Sequence, residues 1–368
     1  MPAERFDSFD LLRAAGALLV LVSHSFALTG RPEPAVPGAD TFGGLGVAIF
    51  FSISGYLIAL SWQRDPRLGA FLVKRSLRIF PALAVVVLLS AFVLGPLVSR
   101  LPAGEYLAAP ETRNYLRNIG LYVTYPLPGA FEGMPHPRSV NGSLWTLPVE
   151  FTMYLVVALV GVVCRGRAWA HAAAFALFAV LALVWLPGRS APAVVYAMDA
   201  RYLAIFGTFY FAGASIAAFR LEGRLTAPLL ALLLLALLAT WWQPRLFTAV
   251  LWIALPAAAV AVGRSGNRAS AWLSARGDFS YGLYIYAFPV QQTLVMLWPD
   301  PPILPYIAAV FAVTLALAAM SWHWIERPAL GWKARLTGRT RAGHDAAAEA
   351  EHAAARAAGG AGGAPPRP

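Results

Sequence analysis

Apolar runs of roughly twenty residues, separated by short polar stretches, set the rhythm of the chain. A bilayer core about 30 Å thick needs about 20 apolar residues per helix. Windows of that length fall at 10–28, 44–62, 79–98, 144–164, 169–187, 202–219, 226–243, 246–262, 281–298 and 304–325. The pattern predicts an all-α, polytopic membrane protein with about ten transmembrane helices. The first window carries Arg13 and His24, lacks a small-x-small cleavage site and is followed by further spans, so it reads as a retained helix rather than a signal peptide. The one long connection, 99–142, is rich in Pro and Gly, with a short amphipathic piece expected around 115–125. From Gly338 onward the chain is mainly Ala, Gly, Arg and Pro, which predicts a membrane domain over 1–332 and a cytoplasmic, disordered tail over 333–368.

Composition agrees with the pattern. Hydrophobic residues make up 59% of the chain and charged ones 13%, against about 25% charged in a soluble domain. The net charge of +11 does not mark a nucleic-acid binder, because the basic residues fall in clusters between apolar runs rather than on one soluble face. With the N-terminus inside, cytoplasmic segments hold 20 Lys and Arg residues and outer segments eight, and an even number of spans returns the C-terminus to the same side. The single cysteine, Cys164, excludes an internal disulfide and a multi-cysteine metal site, and no pair of histidines has a metal-binding spacing.

Charge inside a membrane helix costs on the order of 3 kcal/mol, so each such residue needs a reason. Arg13 and His24 lie on one helical stripe with Asp10, their backbones about 16 Å apart. His24 and Glu150 both fall roughly 6 to 9 Å below the outer boundary of their spans, a level at which they could meet. A carboxylate beside an imidazole fixes its tautomer and stabilises its charged form, as a general base requires; a structural bond between helices is the other reading. Lys74, Arg75 and Arg78 stand just before the third window, with Arg75 and Arg78 on one face. Positive-inside anchoring accounts for such a cluster, and so does a phosphate clamp for a cytoplasmic nucleotide-like molecule, with Arg13 at the same level. The glycines of GGLGVAIFFSISGYL suit close helix packing, with Ser52, Ser54 and Tyr56 near mid-membrane. At the inner end of the last span, Glu326 is expected to pair with an inner arginine and Pro328 to end the helix.

FDLLRAAGALLVLVSH at 9–24, GLGVAIFFSISGYLI at 44–58, KRSLRIFPAL at 74–83, NGSLWTLPVEFTMYL at 141–155, GDFSYGLYIYAFPVQQ at 277–292 and WIERPAL at 324–330 occur in order, each at a predicted span position. Together they resemble the acyltransferase family 3 of integral-membrane acyltransferases, from Phe6 to Trp332. The resemblance implies about ten spans in a bacterial inner membrane and transfer of an acyl group, above all acetyl, from cytoplasmic acyl-CoA to a hydroxyl of an extracytoplasmic or lipid-linked glycan, with no metal. It implies His24 as the essential catalytic residue, Arg13 as its partner, Arg75 and Arg78 as acyl-CoA contacts, and Glu150 at the acidic position of the Trp-Ser-Leu-x-x-Glu pattern. Two departures stand out: Ala287 occupies a place where many members have histidine, and the tail is too short for the soluble esterase-like domain that others carry. A secondary transporter or flippase would share ten spans and buried charge but predicts no thioester cleavage; a structural membrane subunit gives no reason for the Arg13 and His24 stripe.

Overall fold

A computed structural model describes residues 8–36, 40–185, 193–266 and 268–337. Ten long helices account for most of it: α1 (Phe9–Leu28), α2 (Phe42–Arg64), α3 (Leu68–Leu89), α4 (Thr146–Val163), α5 (Ala168–Trp185), α6 (Ala200–Ala218), α7 (Ala227–Thr240), α8 (Pro244–Arg264), α9 (Ser280–Leu297) and α10 (Ile303–Ser321). The only sheet among the described residues is a two-stranded ribbon of Val194–Val195 and Met198–Asp199. Each apolar window therefore coincides with a helix, the fifth running on into the undescribed 186–192. The tail from Gly338, Arg5 and Arg189 also lie outside the described residues.

Among the described residues, six helical stretches are long and apolar enough to cross a membrane: Phe9–Leu28, Phe42–Arg64, Leu68–Val98, Gly142–Val163, Pro244–Arg264 and Ile303–Leu336. α5 and α7 are apolar but shorter. The remaining two, α6 and α9, are less apolar for a packing reason. Fourteen of the eighteen residues of α9 are buried inside the bundle, so its Ser, Tyr and Gln side chains meet protein rather than lipid.

Two expectations about helix ends change. The third helix begins at Leu68, not near 79, so Lys74, Arg75 and Arg78 lie within it. It also continues through a π-helical segment (Ser90–Leu94) to Val98. Pro328 does not stop the last helix. A π-helical segment (Trp322–Glu326) precedes a new helical stretch (Arg327–Gly331), in which Pro328 takes a first-turn position that needs no N–H donor.

α1 and α9 run parallel. Arg13 meets Asp278 just before α9, the Gln291 side chain donates to the Leu21 carbonyl at 2.7 Å, and Arg31 pairs with Asp300 beyond both helices. The 99–142 connection folds as a cap at the latter end. Its helices, Ala103–Ala108 and Pro110–Tyr115, run into a 3-10 turn (Leu116–Gly120) that ends where Leu121 turns left-handed, at φ +63°. The helical piece thus precedes the expected 115–125 stretch. Gln292 Nε2 ties the cap down by donating to the carbonyls of His136 and Ser139 at 2.8 and 2.9 Å.

Candidate active site

A cavity of about 240 Å3 opens between α1, α2, α3, α4 and α9, reaching Leu330 and Lys333 at one end. Arg13, Lys74, Arg75, Arg78 and Glu150 all line it, together with Ser54, Tyr154, Tyr281, Tyr284 and aliphatic residues of α2 and α3. Four of the five site residues read from the sequence therefore share one chamber. The fifth, His24, stands apart from it.

The cations are not equivalent. Arg78 contacts Asp278 at 2.5 Å and Glu326 at 3.7 Å, which meets the expectation that Glu326 pairs with an inner arginine. Arg13 pairs with Asp10 at 2.9 Å, one turn earlier on its own helix, and lies 3.7 Å from Asp278. Lys74 is held by Asp65 at 2.6 Å. The Asp65 carboxyl lies well below the usual carboxylate range because Arg67 and then Lys74 donate to it. Burial works to raise the Asp278 carboxyl, but the Arg78 and Arg13 guanidiniums outweigh it and bring it down to about 2. Arg75 differs. No carboxylate lies within ion-pair distance of it among the described residues, its Nε–H is buried without an acceptor, and its guanidinium rests over the rings of Phe71 and Tyr154 at 5.8 and 5.9 Å.

Glu150 faces this chamber rather than His24. Its Oε1 accepts from Ser54 Oγ at 3.3 Å and from the Tyr154 hydroxyl. The expected His24–Glu150 pair is not formed: among the described residues no hydrogen bond or ion pair joins them. The reason is geometric. The Glu150 side chain turns toward Ser54 of α2 while His24 turns toward Phe288 of α9. The His24 ring meets Phe288 edge-on, with centroids 5.3 Å apart, and its Nδ1 is buried without a partner. His136 of the cap is close enough for the two imidazoles to interact electrostatically.

An aromatic row links the two regions. Tyr284 lines the cavity, meets Phe50 edge-on and donates to the Ser143 carbonyl at 3.1 Å; Phe288, one turn along α9, carries the row to His24. Gly142 is required under Phe288, since a Cβ there would lie 2.4 Å from its ring. Ala287, at the place of the family histidine, is buried in an apolar cluster with Leu21 and Val290.

Asp278, Tyr154, Tyr281 and His136 entered the site without being singled out in the sequence. Asp278 had one local signal: Ser280, two residues on, donates both its N–H and its hydroxyl to the carboxylate at the start of α9.

Apolar helices enclosing a chamber of paired charges define a multi-pass membrane protein with a buried polar site. The family model for the Acyl_transf_3 acyltransferase domain matches residues 6–323, and the chain belongs to that family; it is an acyltransferase. It is 32% identical over 328 residues to an O-acetyl transferase of Shigella phage Sf6, covering 87% of this chain and 95% of the phage protein. Nodulation protein 10 of Rhizobium leguminosarum bv. viciae is 33% identical over 370 residues, covering 90% and 95%. The peptidoglycan O-acetyltransferase OatA of Listeria monocytogenes is 24% identical over an alignment of 373 positions, covering 87% of this chain and 55% of OatA. No solved structure matches.

Proposed function

We propose that the protein moves an acetyl group from acyl-CoA to a hydroxyl of a glycan, with the donor entering the chamber at its basic end and the acceptor reaching His24 at the capped end. One observation carries the reading: α1 brings Arg13 into the charged chamber and holds His24 three turns further on, against the aromatic row that leads out of it. The names of the phage and Listeria relatives support acetyl as the group and a glycan as the acceptor. The 20 basic residues against eight support a cytoplasmic donor side, the sources of the Rhizobium and Listeria relatives support a bacterial membrane, and a lipid-linked sugar is an acceptor such a location offers.

In direct transfer, the His24 imidazole takes the acceptor hydroxyl proton, the oxygen attacks the thioester carbonyl, the carbon–sulfur bond breaks and the CoA thiolate takes up a proton. In the covalent route, a His24 ring nitrogen attacks first, CoA leaves as the thiol, and the acceptor oxygen then displaces the imidazole. Arg13, Arg75 and Arg78 hold the donor, and Glu150 acts from the chamber wall rather than through the imidazole.

The test is incubation of purified protein with labelled acetyl-CoA and a glycan acceptor. Thiol release coupled to acetylation, lost in His24→Ala, is expected. Label retained on the wild-type protein but absent from His24→Ala selects the covalent route, and ternary-complex kinetics select direct transfer. Release of no thiol, with substrate movement that persists in His24→Ala, would replace the enzyme with a transporter.

A further inference from the structure

The cations that α1 and α3 bring to the chamber are mostly paired. Arg13, Lys74, Arg75 and Arg78 are set against Asp10, Asp65, Asp278 and Glu326, with Glu150 as a fifth carboxylate on the wall. Every one of the four cations except Arg75 already has a carboxylate within ion-pair distance. The charges of Arg13, Lys74 and Arg78 are thus already met by protein carboxylates, and a phosphate brought to Arg75 would lie in the same chamber as the Glu150 carboxylate.

The unmet polar groups point elsewhere. Arg75 Nε–H is a buried donor with no acceptor, and such a group costs free energy until a ligand or water satisfies it. Across the same chamber, both hydrogen bonds that Glu150 accepts fall on Oε1, so Oε2 keeps its acceptor capacity. One free donor and one free acceptor in a chamber whose walls also include Phe50, Leu57 and Leu147 suit a ligand with a carbonyl and an N–H on an apolar chain. A phosphate offers only acceptor oxygens and leaves Glu150 unmet; an amide meets both.

We infer that Arg75 and Glu150 recognise an amide of the donor's uncharged pantetheine arm, Arg75 donating to its carbonyl and Glu150 Oε2 accepting its N–H, while the phosphates stay outside the chamber. The inference rests on the acyl-CoA reading and assigns Arg75 to the arm rather than to a phosphate clamp.

S-acetylpantetheine, which keeps the thioester and both amides and lacks every phosphate, separates the two assignments. Wild-type protein is expected to transfer from it, or to be inhibited by it competitively against acetyl-CoA. Arg75→Gln and Glu150→Gln are each expected to raise KM by the same factor for S-acetylpantetheine and for acetyl-CoA, roughly 10- to 100-fold for a charge-assisted bond. An Arg75→Gln effect confined to acetyl-CoA would make Arg75 a phosphate ligand and overturn the inference. So would wild-type protein that uses acetyl-CoA yet neither turns over nor is inhibited by S-acetylpantetheine, a result that needs no variant to fold. Failure of the acyl-CoA reading shows differently, as wild-type protein that releases thiol from neither compound, and it removes this inference as well.

Discussion

Asp278 is the most heavily shared side chain of the site, since it meets guanidiniums from α1 and α3 and is capped by Ser280 at the start of α9. Its ordinary carboxyl value of 3.8 is lowered to about 2. A depressed carboxyl contributes stability that is fully present above the unfolded value and is lost as pH falls through the folded one, on the order of 2 kcal/mol here. Asp278→Asn is expected to lower the melting temperature of detergent-solubilised protein at pH 7 and to abolish the part of the stability loss seen between pH 4 and pH 2; a melting curve and acid profile unchanged by the substitution would show that Asp278 ties nothing together. Arg13 and Glu150 were legible in the sequence because charge is costly in an apolar helix, and Arg75 and Arg78 because they form a basic cluster on one face at the edge of a window. Asp278 was not, because it lies outside the apolar window and its partners are 200 and more residues away in sequence. The His24–Glu150 pair failed for a related reason: rise per residue gives depth along a helix, while the direction a side chain faces depends on how helices pack.

Helix identity was equally legible, and helix shape was not. Twenty-residue apolar windows locate spans, but nothing in SAFVL or WHWIE announces a π-helical segment, whose extra residue is accommodated by the surrounding packing. The glycines of the second window, by contrast, were read as contact points, and α2 and α6 bear this out. A Cβ on Gly55 would lie 1.8 Å from the backbone oxygen of Tyr210, and one on Gly213 would lie 2.2 Å from that of Ser52. Because the obstacle is backbone, no rotamer change relieves it, and the helices must separate. Gly55→Ala is therefore expected to cost about 1 to 3 kcal/mol, read as a lower melting temperature. Gly69→Ala in α3 is the control: no atom lies within 4 Å of its added Cβ, and alanine's helix preference should leave stability equal or slightly higher. A Gly55→Ala protein as stable as Gly69→Ala would mean that helix propensity, not the α2–α6 contact, governs the result.

At the scale of the whole molecule, the parallel course of α1 and α9 gives the bundle two distinct ends. Asp65, Asp278 and Lys333 gather at the end where the chamber reaches Lys333, while the Arg31–Asp300 pair and the cap around His136 mark the other. In the proposed function, positive-inside bias assigns the first end to the cytoplasm, and that sidedness would let donor and acceptor meet from opposite faces of a membrane. It can be read by cysteine labelling, because Cys164 is the chain's only thiol and Cys164→Ser leaves a blank background. In that background Glu132→Cys, exposed on the cap, is expected to react with a membrane-impermeant maleimide added to intact cells. Arg335→Cys, exposed near the end of the Ile303–Leu336 helical stretch, is expected to react only after the membrane is permeabilised. The reverse pattern would invert the orientation and put His24 on the donor's side. Reaction of both thiols in intact cells would mean that an odd number of crossings separates the N-terminus from one of these sites where an even number is expected, and a donor confined to the cytoplasm would then have no route through the chamber that opens at Lys333.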